Sequence, residues 1–386
     1  MRLPSPRWWH CDCQPQRTRT FRPLAVLLPE RSTPELAYLQ AKFAALTSYA
    51  ISAQLLAEVL PLGRRLDPTV LRRQVQATAQ RLEGELGEEQ VSFIDTCQRD
   101  RDALVRPDLP ITVGLDGGYV HSTTQGSRRD GWFEVIAGKV MPAHGKPTCF
   151  GYVQTYDTKP KRRLFEVLNS QGMTANQQIT FVTDGGEDIR DLPRFLNPQA
   201  EHRLDWFHIT MCLTVMSTMA KGLRTPPPDS EAPSDARGDL ATEVGKNLES
   251  LKWFLWHGNV FRALQTIEDL ECQLDEGGEE TTFEQARQAK AVGEFDTYIR
   301  ANADRIPNYG ERHRAGETIS SSFVESAVNQ VISKRMVKKQ QMRWTPRGAH
   351  LLLQIRTRVL NDELAADFHR WYPGFAHTAD RQALAA

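Results

Sequence analysis

The chain has 386 residues, 40% of them hydrophobic and 25% charged, which describes an ordinary globular protein with room for two or three domains. Net charge is zero, so global charge does not advertise nucleic acid; the charge is nevertheless segregated, acidic over 268–280 (EDLECQLDEGGEE) and cationic over 333–358. No run approaches the roughly 18 apolar residues of a membrane span, the start MRLPSPRWWH lacks the apolar core of a signal peptide, and the six cysteines are scattered apart from Cys11 and Cys13, so a reducing, cytoplasmic setting is expected.

Residues 1–33 are rich in Arg and Pro and read as an irregular arm. His10-Cys11-Asp12-Cys13 is the one candidate for structural zinc; such a site needs four ligands, usually as two pairs, and only one tight pair is present, so an unstructured arm is the alternative. Residues 34–95 read as all-helical. In 34–50 the residues Leu36, Leu39, Phe43 and Leu46 share one face, a short helix follows from Ser52, and Asp67-Pro68 supplies an N-cap and a first-position proline for a longer helix over 69–86. Short helix, turn and longer helix suit a helix-turn-helix, in which Arg72 and Arg73 would meet DNA; a plain three-helix bundle with solvated arginines fits equally.

From 111 the pattern changes to strands: ITVGLDG ending in Asp116, then 132–142, then 149–157. A helix near 164–173 leads to a strand over 179–183 and Asp184, a short helix spans 187–196, a short strand spans 202–204, and Asp205 opens the helix WFHITMCLTVMSTMAKGL. The order β-β-β-α-β-α-β-α is that of an RNase H-like domain, in which the first and fourth strands are neighbours; Asp116 and Asp184 would then meet. Residues 225–240 read as a mobile loop, and 212–315 as a helical insertion with Leu251, Leu255, Leu264, Ile267, Leu270 and Leu274 in one stripe. Trp253 and Trp256 there suit a core more than a base-stacking surface. Residues 316–344 read as one helix, with Val324, Val328 and Val331 on its buried stripe, Glu325 beside them, and a cationic end in Lys334, Arg335, Lys338, Lys339 and Arg343. A last helix spans 349–360.

Two strand aspartates, each followed by Gly-Gly, and one glutamate on a cationic helix suit phosphodiester chemistry. Two divalent ions roughly 3.5–4 Å apart activate the attacking oxygen and stabilise the leaving one, and Mg²⁺ or Mn²⁺ takes such hard oxygen ligands. Each piece has a plainer reading. Asp-Gly is a common turn, Ser322-x-x-Glu325 fits a capping box, Asp205 fits an N-cap, and the cations fit a solvated face. What favours the functional reading is their joint order.

Four motifs carry a resemblance: LDGGYV (115–120), VTDGGEDI (182–189), DWFHI (205–209) and SSFVESAVNQVISKRMVKKQQMRWTPRGA (321–349). Over residues from about 20 to 372 the chain resembles bacterial insertion-sequence transposases of the DDE type, in the ISKra-type family related to Mutator-like elements. The resemblance implies Asp116, Asp184 and Glu325 as metal-holding catalytic acids. DWFHI is similar to the acid-x-x-His signature of the wider group, with Asp205 and His208 as further site residues. Relatives can carry more cysteine ligands near the start than Cys11 and Cys13.

The expected fold class is α/β: an RNase H-like mixed sheet with a helical insertion, preceded by an all-α helix-turn-helix-like domain. The expected parts are 1–33, 34–95, 96–211, 212–315 and 316–386. The expected function is cleavage and strand transfer of DNA at terminal inverted repeats by a homodimer or larger oligomer. A non-catalytic DNA-binding remnant and a metal-dependent nuclease of the same fold are the alternatives.

Overall fold

The computed structural model describes residues 6–9, 20–23, 32–62, 66–105, 107, 109–123, 131–142, 144–186, 192–223, 239–275, 282–337 and 342–375. They fall into two compact units, one drawn from 1–85, 121–131 and 334–386, the other from 86–120 and 132–333. This differs from the five parts expected: the C-terminal helices belong with the N-terminal ones rather than with the Glu325 segment. No helix among the described residues is long and apolar enough to cross a membrane.

The first unit is helical, apart from a two-residue antiparallel pairing of β1 (Trp8–Trp9) with β2 (Thr20–Phe21). Helices Pro34–Leu46, Tyr49–Val59 and Pro68–Glu85 pack with Pro346–Leu360 and Leu364–Trp371. The caps are local and legible: Thr33 Oγ1 accepts from Leu36 N, Ser48 Oγ from Ile51 N, and Asp67 Oδ1 from Thr69 N at 2.6 Å. The buried face of the first helix is Tyr38, Ala41, Ala44 and Ala45, while Leu46 is 51% exposed, which corrects the expected Leu36–Leu46 stripe. Small side chains let helices approach closely, so the alanine face packs inward although the leucine face is more apolar. A helix-turn-helix expected over 34–95 therefore becomes part of a larger helical assembly in which Leu351, Leu352, Leu353 and Ile355 of the C-terminal helix are buried. Cys11 and Cys13 lie outside the described residues.

The second unit is built on a five-stranded sheet of β3 (Ile111–His121), β4 (Trp132–Met141), β5 (Thr148–Val153), β6 (Ile179–Thr183) and β7 (Ala200–Leu204), in the order β5-β4-β3-β6-β7. β4 and β5 pair antiparallel, whereas β3–β6 and β6–β7 are parallel, a mixed sheet compatible with an RNase H-like core. The expected neighbourhood of first and fourth strands is present. Parallel strands are covered on both faces, which is why β6 is buried throughout, its two threonines included. On one face Ile111, Val113, Leu115, Ile179 and Phe181 join Leu164, Leu168, Leu192 and Leu196 in a core under helices Pro160–Ser170 and Leu192–Leu196.

Side chains alternate across a strand, so Gly114, Asp116 and Gly118 share the other face. There a Cβ at Gly114 would lie 1.9 Å from Val324 Cγ2, and one at Gly118 3.0 Å from Ile332 Cδ1. Only glycine at 114 lets the Glu325 segment lie this close to the sheet. β7 hands over to Trp206–Ala220, and helices Asp239–Trp256, Val260–Asp275 and Phe283–Ala301 follow around their own core of Leu213, Leu251, Leu255, Ile267, Leu270 and Phe295. The helical insertion is thus present; the loop expected over 225–240 lies outside the described residues except at 239–240, which begin a helix. Trp256 packs on Trp206 with ring centres 5.0 Å apart, while Trp253 is 52% exposed, so only the first suits the expected core placement.

Candidate functional site

The sheet register explains how residues distant in sequence converge. β3 and β6 pair Ile111 with Ile179 through to Gly114 with Val182, a constant offset that brings Asp116 level with Asp184. β6 and β7 pair Val182 with Arg203 and Thr183 with Leu204, and the next step brings Asp184 level with Asp205, whose N–H donates to Thr183 O at 2.8 Å. Three aspartates thus stand in one row across adjacent parallel strands, Asp116 midway along β3 and Asp184 and Asp205 just past the ends of β6 and β7.

The two Asp-Gly-Gly motifs are built differently. At Asp184 the strand ends: Gly185 has φ +87° and Asp184 Oδ1 accepts from Gly186 N at 3.2 Å, so the plain turn reading holds there together with any other role. At Asp116 it does not: β3 runs on through Gly117 and Gly118 to His121, which corrects the expectation that the strand ends at Asp116. Asp116 therefore lies within the sheet face, between the glycines that seat Val324 and Ile332.

Residues 316–344 are not one helix. An α-helix covers Ser322–Val328 and continues as a π-helix over Asn329–Val337. Wide turns of this kind recur at functional sites because they let a helix hold side chains out of regular register. Val324 and Val331 are buried as expected, and Ala327 joins them; Glu325 is exposed. Its capping-box reading fails, because the N-cap is Ser321 and no side chain caps this helix.

Ser321 instead serves Asp205. The buried Asp205 carboxylate accepts from Phe207 N at 2.9 Å, from Ser321 N at 2.9 Å and from Ser321 Oγ. It caps its own helix and ties that helix to the start of the Glu325 helix. The plain N-cap reading of Asp205 therefore holds, and its oxygens are engaged with Phe207 and Ser321. His208 stands against Tyr298, ring centres 5.4 Å apart. Tyr298 carries no mark in the sequence, being one aromatic residue among many until the fold gives it a neighbour, and Ser321 opens the last motif without any sign there that it serves Asp205.

Electrostatics ties the acids together. Asp116 is pushed up to about 6 from an ordinary 3.8, first by burial, then by the charge of Asp184, with Glu325 and Asp205 adding to the effect. None of Asp116, Asp184 or Glu325 is in an ion pair among the described residues. The sign is testable. A carboxyl raised in the folded state contributes stability below about 4 and loses it as pH climbs through about 6. Asp116→Asn removes that penalty, so the cation-free variant should unfold later than the parent at pH 7–8, by on the order of 1–2 kcal/mol after screening, and equally at pH 3.5. Denaturant melts at the two pH values check this; a variant less stable at pH 8 would show that Asp116 is not crowded by charge.

Of the cations expected to meet phosphate, Lys334, Arg343, Arg72 and Arg73 are exposed, and Lys338 and Lys339 lie outside the described residues. Arg335 is a correction. It is 0% exposed, its Nε donates to Ala44 O at 2.9 Å, and its guanidinium carbon lies 5.3 and 5.2 Å from the ring centres of Tyr49 and Trp344. Burial pulls its pKa down to about 10. An enclosed guanidinium cannot reach a nucleic-acid backbone; this one is a strut seated on aromatic faces.

No protein-family model matches the chain, and no curated protein matches it. Among solved structures the chain is similar to the Drosophila P element transposase strand transfer complex, at 10% sequence identity and a TM-score of 0.36, over 86% of this chain and 93% of that one.

Proposed function

We propose that the chain is the DNA transposase of an insertion sequence, of the DDE type and the ISKra-type family: it binds terminal inverted repeats, cuts a DNA strand and joins the freed end to target DNA. The observation that carries this reading is the row of carboxylates across β3, β6 and β7 beneath the Glu325 helix, with Asp116 pushed up to about 6 by burial and its acidic neighbours. Carboxylates gathered without cationic partners make a hard oxygen donor set, and Mg²⁺ or Mn²⁺ held by Asp116, Asp184 and Glu325 would relieve their repulsion. Bound there, such ions lower the pKa of water and stabilise the leaving oxygen.

In the first step a water oxygen bonds to phosphorus and the bond to the 3′ oxygen breaks. A 3′-hydroxyl and a 5′-phosphate result, with one proton of water passing by way of solvent to the departing 3′ oxygen. In the second, the 3′-hydroxyl oxygen bonds to a target phosphorus, the bond to the target's 3′ oxygen breaks, and the proton of the attacking hydroxyl passes by way of solvent to that oxygen, which departs as a hydroxyl. No covalent link to the protein is needed. His208 orients the scissile phosphate, and Asp205 holds the Glu325 helix to the sheet through Ser321. Lys334, Arg343, Lys338 and Lys339 contact backbone phosphates, a salt-sensitive and sequence-blind contribution. Arg72, Arg73 and their helix read the terminal repeats, and two copies or more of the chain bring the element ends together in the cytoplasm.

The test is a strand-transfer assay with purified protein, a labelled duplex bearing the flanking terminal repeat, and plasmid, in Mg²⁺ and in EDTA. Joined products formed only with the metal are expected. Cut but unjoined strands would reduce the reading to a nuclease; binding without cutting in either Mg²⁺ or Mn²⁺ would replace it with a non-catalytic DNA-binding protein.

A further inference from the structure

Helix Pro68–Glu85 turns Leu71, Val75, Ala79 and Leu82 into the core of the first unit. The stripe beside them, Gln74, Ala77 and Arg81, lines a cavity of about 150 Å³, which Ser32, Trp371 and Tyr372 line as well. A cavity of this size holds one benzene-sized ring. Its aromatic wall is held in place. The guanidinium carbon of Arg81 lies 4.4 and 5.3 Å from the ring centres of Trp371 and Tyr372, and its Nη1 donates to the Tyr372 hydroxyl at 3.2 Å. The Trp371 indole N–H donates to Glu85, and that carboxylate also stands 3.8 Å from Arg81 Nε. The one cation lining the cavity thus already has a counter-charge.

Two polar atoms on the cavity wall, Ser32 Oγ and Gln74 Oε1, are enclosed with no hydrogen-bond partner among the described residues. Each is costly while it stays so, and an apolar ligand would leave both unpaired. The lining offers no His, Cys or carboxylate to a metal ion. Aromatic faces, a guanidinium plane, an amide and a hydroxyl are together answered by a flat, uncharged ring with donors and acceptors on its edge. A nucleobase is such a ring. It stacks on aromatic and guanidinium planes, and its edge pairs with an amide.

We propose that this cavity is a nucleobase-binding site that takes one unpaired base, with Gln74 and Ser32 hydrogen-bonding to the base edge and the sugar left outside. Arg72 and Arg73 are exposed just before Gln74 on the same helix, where they meet the phosphates of the strand that supplies the base. A base inside a duplex is paired and stacked, so the site selects single-stranded or extruded nucleotides. The inference does not rest on the reading of the acids as a phosphodiester-cleaving centre.

The experiment measures binding in EDTA, so its failure is distinguishable from failure of the cleavage reading. Full-length protein meets a short single strand of mixed sequence, the same strand built of abasic sites, and free adenosine and cytidine. The abasic strand keeps every phosphate, so the difference between strands reads the bases alone. The expected result is an affinity at least about tenfold higher for the strand with bases. Gln74→Leu should lower it about tenfold. Ala77→Leu, which fills the cavity from an exposed helical position, should lower it to the abasic level. Both variants should melt at or above the parent's temperature. Nucleosides bound by the parent and lost in the variants extend the ligand to free nucleobases, and nucleosides ignored while the strand is held assign the site to DNA; both results support it. A strand carrying iodouracil, cross-linked by light, should attach to the peptide that holds Trp371 and Tyr372. Equal affinity for the two strands with no nucleoside bound, parent-like base dependence in both variants, or cross-links only elsewhere overturns the inference and leaves the cavity to water.

Discussion

Asp184→Asn and Glu325→Gln should each reduce strand cleavage by about a thousandfold or more, the equivalent of roughly 4 kcal/mol of transition-state stabilisation, while leaving the protein folded. Both substitutions are nearly isosteric, and neither breaks an ion pair among the described residues. The amide introduced by Asp184→Asn retains an oxygen for the Gly186 N–H, and Glu325 is exposed on a helix it does not cap. Each also removes one of the charges that push Asp116 upward, so the melting temperature of the cation-free protein should hold or rise. Loss of activity with retained or increased stability separates a metal ligand from a structural acid. The readouts are product formation on a sequencing gel and a thermal melt with and without Mn²⁺, which should stabilise the parent far more than either variant. Cleavage by Glu325→Gln at the parent rate would remove Glu325 from the site.

The second large effect concerns how Glu325 is delivered. Arg203 on β7 is 2% exposed and pairs with Glu201 at 2.5 Å and Glu317 at 2.6 Å; Arg312 meets the same two acids at 3.3 and 3.1 Å. The four charges alternate around a ring that fastens β7 to the segment leading through Ile319 and Ser321 into the Glu325 helix, where Trp206 N also donates to Ile319 O at 3.1 Å. Arg203→Met leaves two crowded carboxylates facing one arginine and should cost about 3–5 kcal/mol. Burial tends to raise the Glu317 carboxyl, but hydrogen bonds and charge from Arg203 and Arg312 outweigh it and hold the group below its ordinary 4.5. A depressed carboxyl contributes stability above its unfolded value and loses it as pH falls through the folded one. The gap between parent and variant should therefore be full at pH 7 and narrow below about pH 4. Urea titrations at pH 7 and pH 3.5 test this; a constant gap would mean that Arg203 acts through packing alone. Adding Glu201→Gln and Glu317→Gln to Arg203→Met should recover part of the lost stability, because the uncompensated charge goes with them.

Much of the sheet was legible along the chain. The first half of β3 and all of β6 are buried and mostly apolar, the helix at 68–85 announces itself by Asp67-Pro68, and the helix expected over 349–360 begins three residues earlier, at Pro346. Errors gathered where packing overrides local preference. The first helix buries alanines rather than leucines, Asp116 lies inside a strand rather than at its end, and the residues around Glu325 form an α-helix that widens into a π-helix. Arg335 belongs to a cationic run in sequence and to an aromatic cage in space.

Local information was enough for the candidate acids, the order of strands and helices, and the presence of a helical segment between Asp205 and Glu325, because residue chemistry, apolar periodicity and caps are local quantities. Folding over long range was needed to set Asp116, Asp184 and Asp205 in one row, to commit the Asp205 carboxylate to Ser321, and to bring Tyr298 of the insertion against His208. Those outcomes depend on strand register and on close approach at glycines such as Gly114, and such contacts form between residues whose separation along the chain carries no information about their distance in the fold.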